Sequence, residues 1–228
     1  MQIAIIPARF NSKRIKKKNI KFFLKKPIIY YPIKEALKSK LFDKVFVSTD
    51  SKDIAKISKK LGAEIPFIRE RKLSGDKVTT VEVVKDAIKK IENNYEFTSI
   101  CCIYPTSCFV TAKDLIQSFN LFKKNKKSFI ISATEYSHPP QRGFFFKDKL
   151  LRKFIKNNSK KNTQNYDQIY HDAGQFYWGS KTKWLKCKNF FEKKTKAYIF
   201  SNNNVQDIDT INDWKIAELK FKDLNEKK

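Results

Sequence analysis

The sequence predicts an α/β fold in which a mostly parallel, twisted sheet carries helices on both faces, with residues 1–228 forming one domain. Short apolar runs alternate with helical patterns in the first half of the chain, which indicates parallel strands joined by crossover helices. The run Ser99–Tyr104 lacks polar alternation, as expected of a central strand covered on both faces. Polar residues follow these runs directly, and ligands bind at the carboxyl ends of such sheets.

The opening run Gln2–Ile6 predicts a buried strand, and the segment Pro7–Arg14 then brings in cations. Such a loop would suit the phosphates of a nucleotide. It lacks the glycines of a P-loop or a dinucleotide fingerprint, so a strand followed by a basic surface loop is the alternative. The candidate phosphate-binding side chains are Arg9, Ser12, Lys13 and Lys18.

The next elements continue the alternation. Apolar spacing of three and four residues predicts a helix from about Ile28 to Leu37, with Pro32 in its first turn. We then expect a strand over Lys44–Asp50, a helix over Asp53–Leu61 closed by Gly62, and a short third strand over Glu64–Arg69.

Capping residues and β-rich runs define the rest of the predicted fold. Thr79 or Thr80 would cap a helix that runs to about Ile91, and Thr111 would cap a helix over Ala112–Lys123. A helix is also expected over Asn212–Leu219, followed by a frayed lysine-rich end. Further strands are predicted at Phe129–Thr134, Asp172–Gly179 and Ala197–Phe200.

The α/β rhythm fades over residues 135–168, where Phe144–Phe146 and Leu150–Leu151 predict a hairpin. Successive side chains of a strand point to opposite faces, so three consecutive Phe residues cannot all face one core. Either a partner subunit covers the second face, or the hairpin folds back on its own domain.

The formal net charge is +26, from 49 Lys and Arg residues against 23 Asp and Glu, which first suggests nucleic acid. The lysines are spread along the whole chain, however, and Asn, Ile and Phe are abundant too. Codons for these residues are rich in A and T, so a biased genome explains the pattern. A dedicated nucleic-acid surface clusters its charge or interleaves it with exposed aromatics. We therefore expect no nucleic-acid partner, and expect the charge to help collect anionic small substrates.

No apolar run approaches the roughly 20 residues of a membrane span, and the first residues lack the layout of a signal peptide. We therefore expect a cytoplasmic protein with no membrane partner. The cysteines form no C-x-x-C pair and have no histidine at metal-ligand spacing, so we expect reduced core residues. They are Cys101, Cys102, Cys108 and Cys187.

Two carboxylates near the end of the chain are the candidate metal ligands. Asp207 and Asp209 flank Ile208, and residues two apart in an extended segment point to the same side. Such a pair would suit Mg²⁺, especially where a substrate brings phosphates. Asp50 would support the cationic loop or hold a ribose hydroxyl, and Arg69 would reach a base or phosphate or form a surface ion pair.

Blocks along nearly the whole chain resemble the CMP-sugar synthetases, the cytidylyltransferases that activate sialic acids and related nine-carbon acids. The first block is Ile5–Arg14 with Lys18 and Asn19. Tyr170–Gly179 is similar to the branch that uses pseudaminic acid. The other blocks, in the family's order, are Val47–Asp50, Leu73–Asp76, Tyr104–Ser107 and Asp207–Asp209.

The resemblance implies a Rossmann-like fold of the nucleotide-diphospho-sugar transferase type. It also implies that residues 135–168 protrude and form a homodimer, and that CTP and a nonulosonic acid give a CMP-sugar and pyrophosphate with Mg²⁺. Arg9, Lys13 and Asp209 would be catalytic, and Asp207 and Asp209 would hold the metal. The nucleotide would bind Ala8, Arg9, Ser12, Lys13, Lys18, Asn19, Arg69, Val78 and Thr80. The sugar would bind Tyr104, Gln164, Asp172, Gln175 and Phe176.

The sequence departs from the family's pattern at three places. Phe10 and Asn11 stand where many members carry two glycines, and Tyr104 stands where sialate enzymes carry Gln. Asn162–Asn165 replaces a block that often begins with Arg, so Lys160, Lys161 or Arg142 would take over the sugar carboxylate. The alternatives are a cytidylyltransferase for N-acylneuraminate or legionaminate, a glycosyltransferase with a D-x-D metal site, and a basic nucleic-acid-binding module.

Overall fold

The computed structural model describes residues 1–155 and 166–226. The strands are β1 (Gln2–Pro7), β2 (Phe22–Phe23), β3 (Lys26–Pro27), β4 (Lys44–Ser48), β5 (Ser99–Ile103), β6 (Ile130–Glu135), β7 (Phe144–Lys147), β8 (Leu150–Lys153), β9 (Tyr170–Ser180) and β10 (Lys196–Phe200). The helices are α1 (Tyr30–Lys38), α2 (Lys52–Lys60), α3 (Thr80–Ile91), α4 (Ala112–Lys124), α5 (Lys181–Lys186) and α6 (Ile211–Glu226).

The central sheet has the strand order β10-β6-β9-β5-β1-β4. Strand β1 pairs in parallel with β4 and β5, and β6 pairs in parallel with β10. Strand β9 lies between β5 and β6 and is antiparallel to both. The prediction of a mostly parallel α/β sheet is therefore confirmed.

The alternating side chains of β1 enter two separate cores. Ala4 and Ile6 pack in the core covered by α1, α2 and α4, whereas Ile3 and Ile5 pack in the core under α3 and α5. The strand is apolar on both faces because helices cover both. This places the carboxyl end of β1 in the middle of the sheet's ligand-binding edge.

Several predicted helix boundaries are confirmed. Thr79 and Thr111 each accept a hydrogen bond from the backbone three residues later, in capping boxes with Glu82 and Asp114. Gly62 follows α2 with φ of 98°, a conformation that favours glycine.

The predicted third strand over Glu64–Arg69 is wrong. In the part of the chain that the structure describes, this segment makes only two isolated parallel bridges, Phe46 to Glu64 and Thr49 to Ile68. Pro66 lies between these bridges and has no N–H to donate, which interrupts a ladder. The segment still follows the edge of β4, and it brings Arg69 back to the end of that strand.

The prediction that the terminal helix ends near Leu219 is also wrong, because α6 continues to Glu226. Its second half is anchored by Phe221 and Leu224, which pack in a third apolar cluster with Phe23 and Tyr31. The ring of Phe221 meets Phe23 and Tyr31 at centroid distances of 5.5 and 5.1 Å. The two-stranded β2–β3 ribbon that carries Phe23, and the short helix α5, were not expected from the sequence.

Strand β9 bulges where it passes the end of β6. The partner of Ile131 is Tyr177 and that of Ala133 is Asp172, so β9 uses five residues where β6 uses two. Gly174 turns within the bulge at φ of 61°. The hydroxyl of Ser132 accepts hydrogen bonds from the backbone N–H groups of Gln175 and Phe176 at 3.0 and 3.2 Å. The bulge brings the Gly174 backbone beside the Asp207 carboxyl group.

Strands β7 and β8 form the predicted hairpin, but it does not fold back on its own domain. Phe146 is 71% exposed, and Phe144, Phe145, Leu150 and Leu151 are at least half exposed. The fold-back alternative is therefore wrong for the part of residues 135–168 that the structure describes; residues 156–165 lie outside it. Among the described residues, no helix has the length and apolar character needed to cross a membrane.

Candidate functional site

A cavity of about 570 Å³ opens at the carboxyl ends of β1 and β5. We refer to this cavity as the cleft. Pro7 ends β1 at its floor, and Tyr104–Thr106 follow β5 into its wall. The other lining residues are Arg9, Ser12, Lys13, Arg14, Lys18, Asn19, Arg69, Leu73, Gly75, Asp76, Val78, Thr80, Val83 and Asp209.

Two polar side chains fix the backbone of the cationic loop. The Asp50 carboxylate, just after β4, accepts a hydrogen bond from the backbone N–H of Phe10 at 2.8 Å. The buried Asn19 side chain donates to the carbonyl of Arg9 at 2.8 Å. These contacts hold Arg9 between two anchors, and they show Asp50 in its loop-supporting role. Ala8 is fully buried and donates its N–H to Ser48 of β4 at 2.9 Å.

Asp76 binds both of the predicted catalytic cations. Its two carboxylate oxygens lie 2.8 Å from Nη1 of Arg9 and 2.6 Å from Nζ of Lys13. The hydrogen bond from Lys13, followed by those cations' charges and the Arg9 hydrogen bond, lowers the pKa of Asp76 against the opposing effect of desolvation. The sequence placed Asp76 in a family block but gave it no role.

Of the two carboxylates near the end of the chain, Asp209 contacts the cationic loop and lines the cleft. Asp209 pairs with Arg14 at 2.9 Å and with Lys18 at 3.4 Å, and Lys18 also donates to the carbonyl of Ile208 at 2.6 Å. The structure therefore brings together Asp209 and Lys18, which the sequence analysis assigned to the metal and the nucleotide. The sequence did not single out Arg14, which only the three-dimensional contact reveals.

Asp207 lies beside the β9 bulge, since a Cβ atom on Gly174 would stand 3.7 Å from its carboxyl carbon. Desolvation and then the charge of Asp209 raise the pKa of Asp207, and Asp172 adds to this effect. The charges of Asp209 and Asp172 thus both act on Asp207. A hard divalent cation would relieve their repulsion, so Asp207 and Asp209 suit such an ion when substrate phosphates complete its ligands.

Arg69 is a buried cation in the cleft wall. Its Nε donates to the Ser74 hydroxyl at 3.2 Å, and its Nη1 donates to the Ser48 carbonyl at 3.2 Å. Burial lowers the pKa of Arg69, which the charges of Asp50 and Asp86 partly oppose. Among the described residues, no carboxylate forms an ion pair with Arg69, and its hydrogen-bond acceptors are neutral groups. The guanidinium group lines the cleft.

Two tyrosine hydroxyls form hydrogen bonds with predicted binding residues. The Tyr104 hydroxyl hydrogen bonds with Thr80 at 2.9 Å, and the Tyr177 hydroxyl donates to Asp172 at 2.6 Å. The rings of Tyr104 and Tyr177 lie 5.3 Å apart between centroids. Burial raises the pKa of Tyr104 to about 12, so this hydroxyl keeps its proton at neutral pH. Tyr177 had no predicted role, because its apolar neighbours Phe176 and Trp178 indicated only a buried strand.

Two predicted sugar-binding residues lie beneath the surface rather than on the cleft wall. Phe176 is fully buried and packs against Tyr198 and Phe200. Gln175 is buried, and its Nε2 donates to the carbonyl of Ala173 at 2.7 Å. Its Oε1 has no hydrogen-bond partner within residues 1–155 and 166–226. Gln164 lies outside the described residues. Val78 and Thr80 line the cleft opposite the cationic loop.

Comparisons with known proteins cover nearly the whole chain. The family model described as Cytidylyltransferase matches residues 3–226. A Campylobacter jejuni protein named pseudaminic acid cytidylyltransferase is 37% identical over 222 residues, 96% of each chain. An Escherichia coli N-acylneuraminate cytidylyltransferase is 32% identical over 216 residues, which are 94% of this chain and 51% of that protein.

The fold has relatives among solved structures. The structure of CMP:2-keto-3-deoxy-manno-octonic acid synthetase complexed with CTP superposes with a TM-score of 0.72 at 11% identity, covering 97% of this chain and 98% of that one. At this identity the superposition describes the fold alone.

Proposed function

The chain belongs to the cytidylyltransferase family, and we propose that it transfers CMP from CTP to pseudaminate. In this reaction the anomeric hydroxyl of the sugar loses its proton and attacks the α-phosphorus of CTP. A new oxygen–phosphorus bond forms, the bond to the β-phosphate oxygen breaks, and pyrophosphate leaves. The observation that carries the proposal is the 37% identity, over 96% of both chains, with the Campylobacter jejuni pseudaminic acid cytidylyltransferase.

The cationic side of the cleft supports binding of the CTP triphosphate. Arg9, Lys13 and Lys18 present donors to one cavity, and Asp50 and Asn19 fix the peptide bond that follows Arg9. Preorganised cations lower the barrier of phosphoryl-type transfer because they neutralise charge without having to move. Ser12 adds a hydroxyl donor at the same wall, and Ala8, predicted to bind the nucleotide, keeps its backbone fixed to β4.

The opposite side of the cleft supports binding of the base. Arg69, Val78 and Thr80 form a wall with one buried cation, one apolar surface and one hydroxyl. We assign the cytosine to this wall. The sugar acid would then lie toward Tyr104 and Asp172, which the tyrosine contacts hold in place. Gln175 would support this region from beneath through the backbone of the bulge. Phe176 would support it through the core. Gln164 remains a sequence-based assignment.

We assign Mg²⁺ to Asp207 and Asp209. When bound, the ion would neutralise phosphate charge and the repulsion between the two carboxylates. Lys18 would orient Asp209 through its contacts to that carboxylate and to the Ile208 carbonyl. The exposed apolar hairpin β7–β8 supports a homodimer, because monomeric proteins rarely expose such a surface. Since CTP is a cytoplasmic nucleotide, we place the reaction in the cytoplasm.

The test is a pyrophosphate-release assay with CTP, Mg²⁺ and a panel of nonulosonic acids, with the CMP-sugar identified by mass spectrometry. Pseudaminate should turn over fastest, and UTP should not replace CTP. The inactive control is Asp209→Asn. Absence of pyrophosphate with every acid would refute the activity.

A second candidate substrate is N-acylneuraminate or legionaminate. The 32% identity with the Escherichia coli N-acylneuraminate cytidylyltransferase favours it. Turnover of either acid without turnover of pseudaminate would select this candidate. Tyr104 supports pseudaminate over sialate, because a buried phenol offers the sugar a different hydrogen-bonding surface from a carboxamide.

A further inference from the structure

Asp76 forms ion pairs with the two cationic side chains that the proposed function assigns to the triphosphate. Each of its carboxylate oxygens takes one of them, at 2.8 Å from Arg9 and 2.6 Å from Lys13. Arg9 and Lys13 make no other ion pair among the described residues. The carboxylate therefore holds the position of an anion between the two cations.

We propose that Asp76 is a resident counter-ion that competes with the β- and γ-phosphates of CTP and returns to Arg9 and Lys13 as pyrophosphate leaves. This inference rests on the proposed function, since it takes CTP as substrate and pyrophosphate as product. It gives Asp76 a role in nucleotide exchange rather than in the chemical step.

The loop that carries Asp76 is anchored at Ser74 and closes into a turn around Asp76. Ser74 accepts a hydrogen bond from the buried Arg69, and the N–H of Val78 donates to the carbonyl of Gly75 at 3.3 Å. The Asp76 side chain itself is 41% exposed and lies within this turn. It can leave the two cations by local rotation, without unfolding the base of the loop.

The competition follows from the chemistry of the groups. A carboxylate and a phosphate oxygen accept the same charge-assisted hydrogen bonds from guanidinium and ammonium donors. A polyphosphate carries more charge and more oxygens, so it displaces the carboxylate. The net binding free energy of the polyphosphate is less favourable than it would be with unpaired cations, because two ion pairs break as it binds.

Asp76 differs in this respect from the other cleft carboxylate with two cationic partners. Asp209 pairs with Arg14 and Lys18, but it retains a proposed partner, the metal ion, when the nucleotide is bound. Asp76 has no such second assignment. Its return to Arg9 and Lys13 would supply a replacement anion when pyrophosphate leaves, which lowers the barrier to product release.

The experiment is calorimetric titration of the wild type and Asp76→Asn with CTP, inorganic pyrophosphate and CMP, in EDTA so that no divalent metal contributes. Exposed ion pairs are weak, so we expect CTP and pyrophosphate to bind about three- to tenfold more tightly to the variant. CMP, which lacks the β- and γ-phosphates, should bind within about twofold of the wild type by the same reasoning. Steady-state assays should show stronger product inhibition by pyrophosphate.

The matched control is Glu92→Gln, which removes the same charge from the pair that Glu92 forms with Lys181. If affinity increases equally in this control, the effect comes from overall charge and the inference is overturned. If affinity for CMP increases equally, the assignment to the outer phosphates is overturned. Unchanged or weaker polyphosphate binding to Asp76→Asn and Asp76→Ala, both folded by circular dichroism, would overturn it outright. If the wild type fails to bind CTP both in EDTA and in a matched titration with Mg²⁺, the proposed function is refuted, while the pyrophosphate titration still decides the role of Asp76.

Discussion

At the scale of the residue, several side chains of the cleft are held in place by contacts within the protein. Lys18 holds both the Ile208 carbonyl and the Asp209 carboxylate, and Asn19 is a buried brace for the Arg9 backbone. Such side chains are preorganised, because their contacts restrict rotation before a ligand arrives. A change at one of them therefore alters binding through its neighbours as well as through its own lost contact.

Asp209→Asn is expected to abolish most turnover while the fold remains intact. The change removes one proposed metal ligand and leaves a side chain of the same size, so kcat/KM should fall by about 10²- to 10³-fold. The measurement is pyrophosphate release over a Mg²⁺ titration, beside a thermal melt. Glu92→Gln serves as the charge control, and activity of Asp209→Asn within tenfold of that control would remove the metal site from the mechanism.

Tyr177→Phe is expected to impair the sugar acid more than CTP. The variant loses the 2.6 Å hydrogen bond that orients Asp172, and such a bond to a charged group is worth about 1.5–3 kcal/mol. We expect KM for the sugar acid to rise roughly tenfold or more and KM for CTP to change little. Tyr198→Phe is the matched control, since Tyr198 donates to Asp114 at 2.8 Å outside the cleft. Equal effects on both KM values would contradict the positioning role of Tyr177.

At the scale of the element, helix α3 links stability to the site. Its N-cap, Thr79, and the next residue, Thr80, connect the capping box to Tyr104 in the cleft. The sequence predicted this helix start correctly because the capping signal is local. The strand prediction failed at Glu64–Arg69. The composition of this segment is β-like, but Pro66 prevents a continuous hydrogen-bond ladder with the neighbouring strand. The sequence-based prediction also failed at Phe221 and Leu224, whose partners lie near the other end of the chain.

Thr79→Ala should lower the free energy of unfolding by about 1 kcal/mol, the usual cost of a lost N-cap. It should also raise KM for CTP, because Thr80 loses its fixed position. Thr111→Ala is the matched control: it removes the equivalent cap of α4 and should cost similar stability without changing KM. Chemical denaturation and steady-state kinetics measure the two effects. A KM change of equal size in both variants would refute the link.

The contribution of the same capping box to the stability of the fold should depend on pH. The backbone hydrogen bond from Thr79, and then its side-chain bond, lower the pKa of Glu82 below its ordinary 4.5. A lowered pKa means that ionised Glu82 stabilises the fold above pH 4.5 and loses this effect as the pH falls through the folded-state pKa. The stability difference between the wild type and Glu82→Gln should therefore be present at pH 7 and shrink below pH 4.5. A difference independent of pH would contradict this account.

At the scale of the whole molecule, the sequence predicted the sheet, its mostly parallel order and the edge that carries the cleft. These features follow from apolar patterning, which is readable in short windows. It did not predict that Asp76 meets Arg9 and Lys13, because that contact joins two loops 67 residues apart. It also placed Phe176 in the site by resemblance, whereas the alternation along β9 turns this ring into the core.

Phe146→Glu is expected to convert a dimer into monomers. The side chain is 71% exposed on the isolated chain, so the change should leave the fold of the monomer intact. Sedimentation velocity would report the change in mass, and circular dichroism would check the fold. Leu219→Glu is the control, because Leu219 is similarly exposed on α6. A wild type that sediments as a monomer would refute the proposed dimer.

The position of β9 also has a consequence for the order of folding. Strands β4, β1 and β5 can pair among themselves, but β6 and β10 join them only through β9, which begins at Tyr170. On the ribosome, β5 and β6 thus keep open edges until about four-fifths of the chain has emerged, and unpaired edges promote aggregation. The last side of the proposed sugar site would then form together with the sheet itself, so an incomplete chain could not assemble a working cleft.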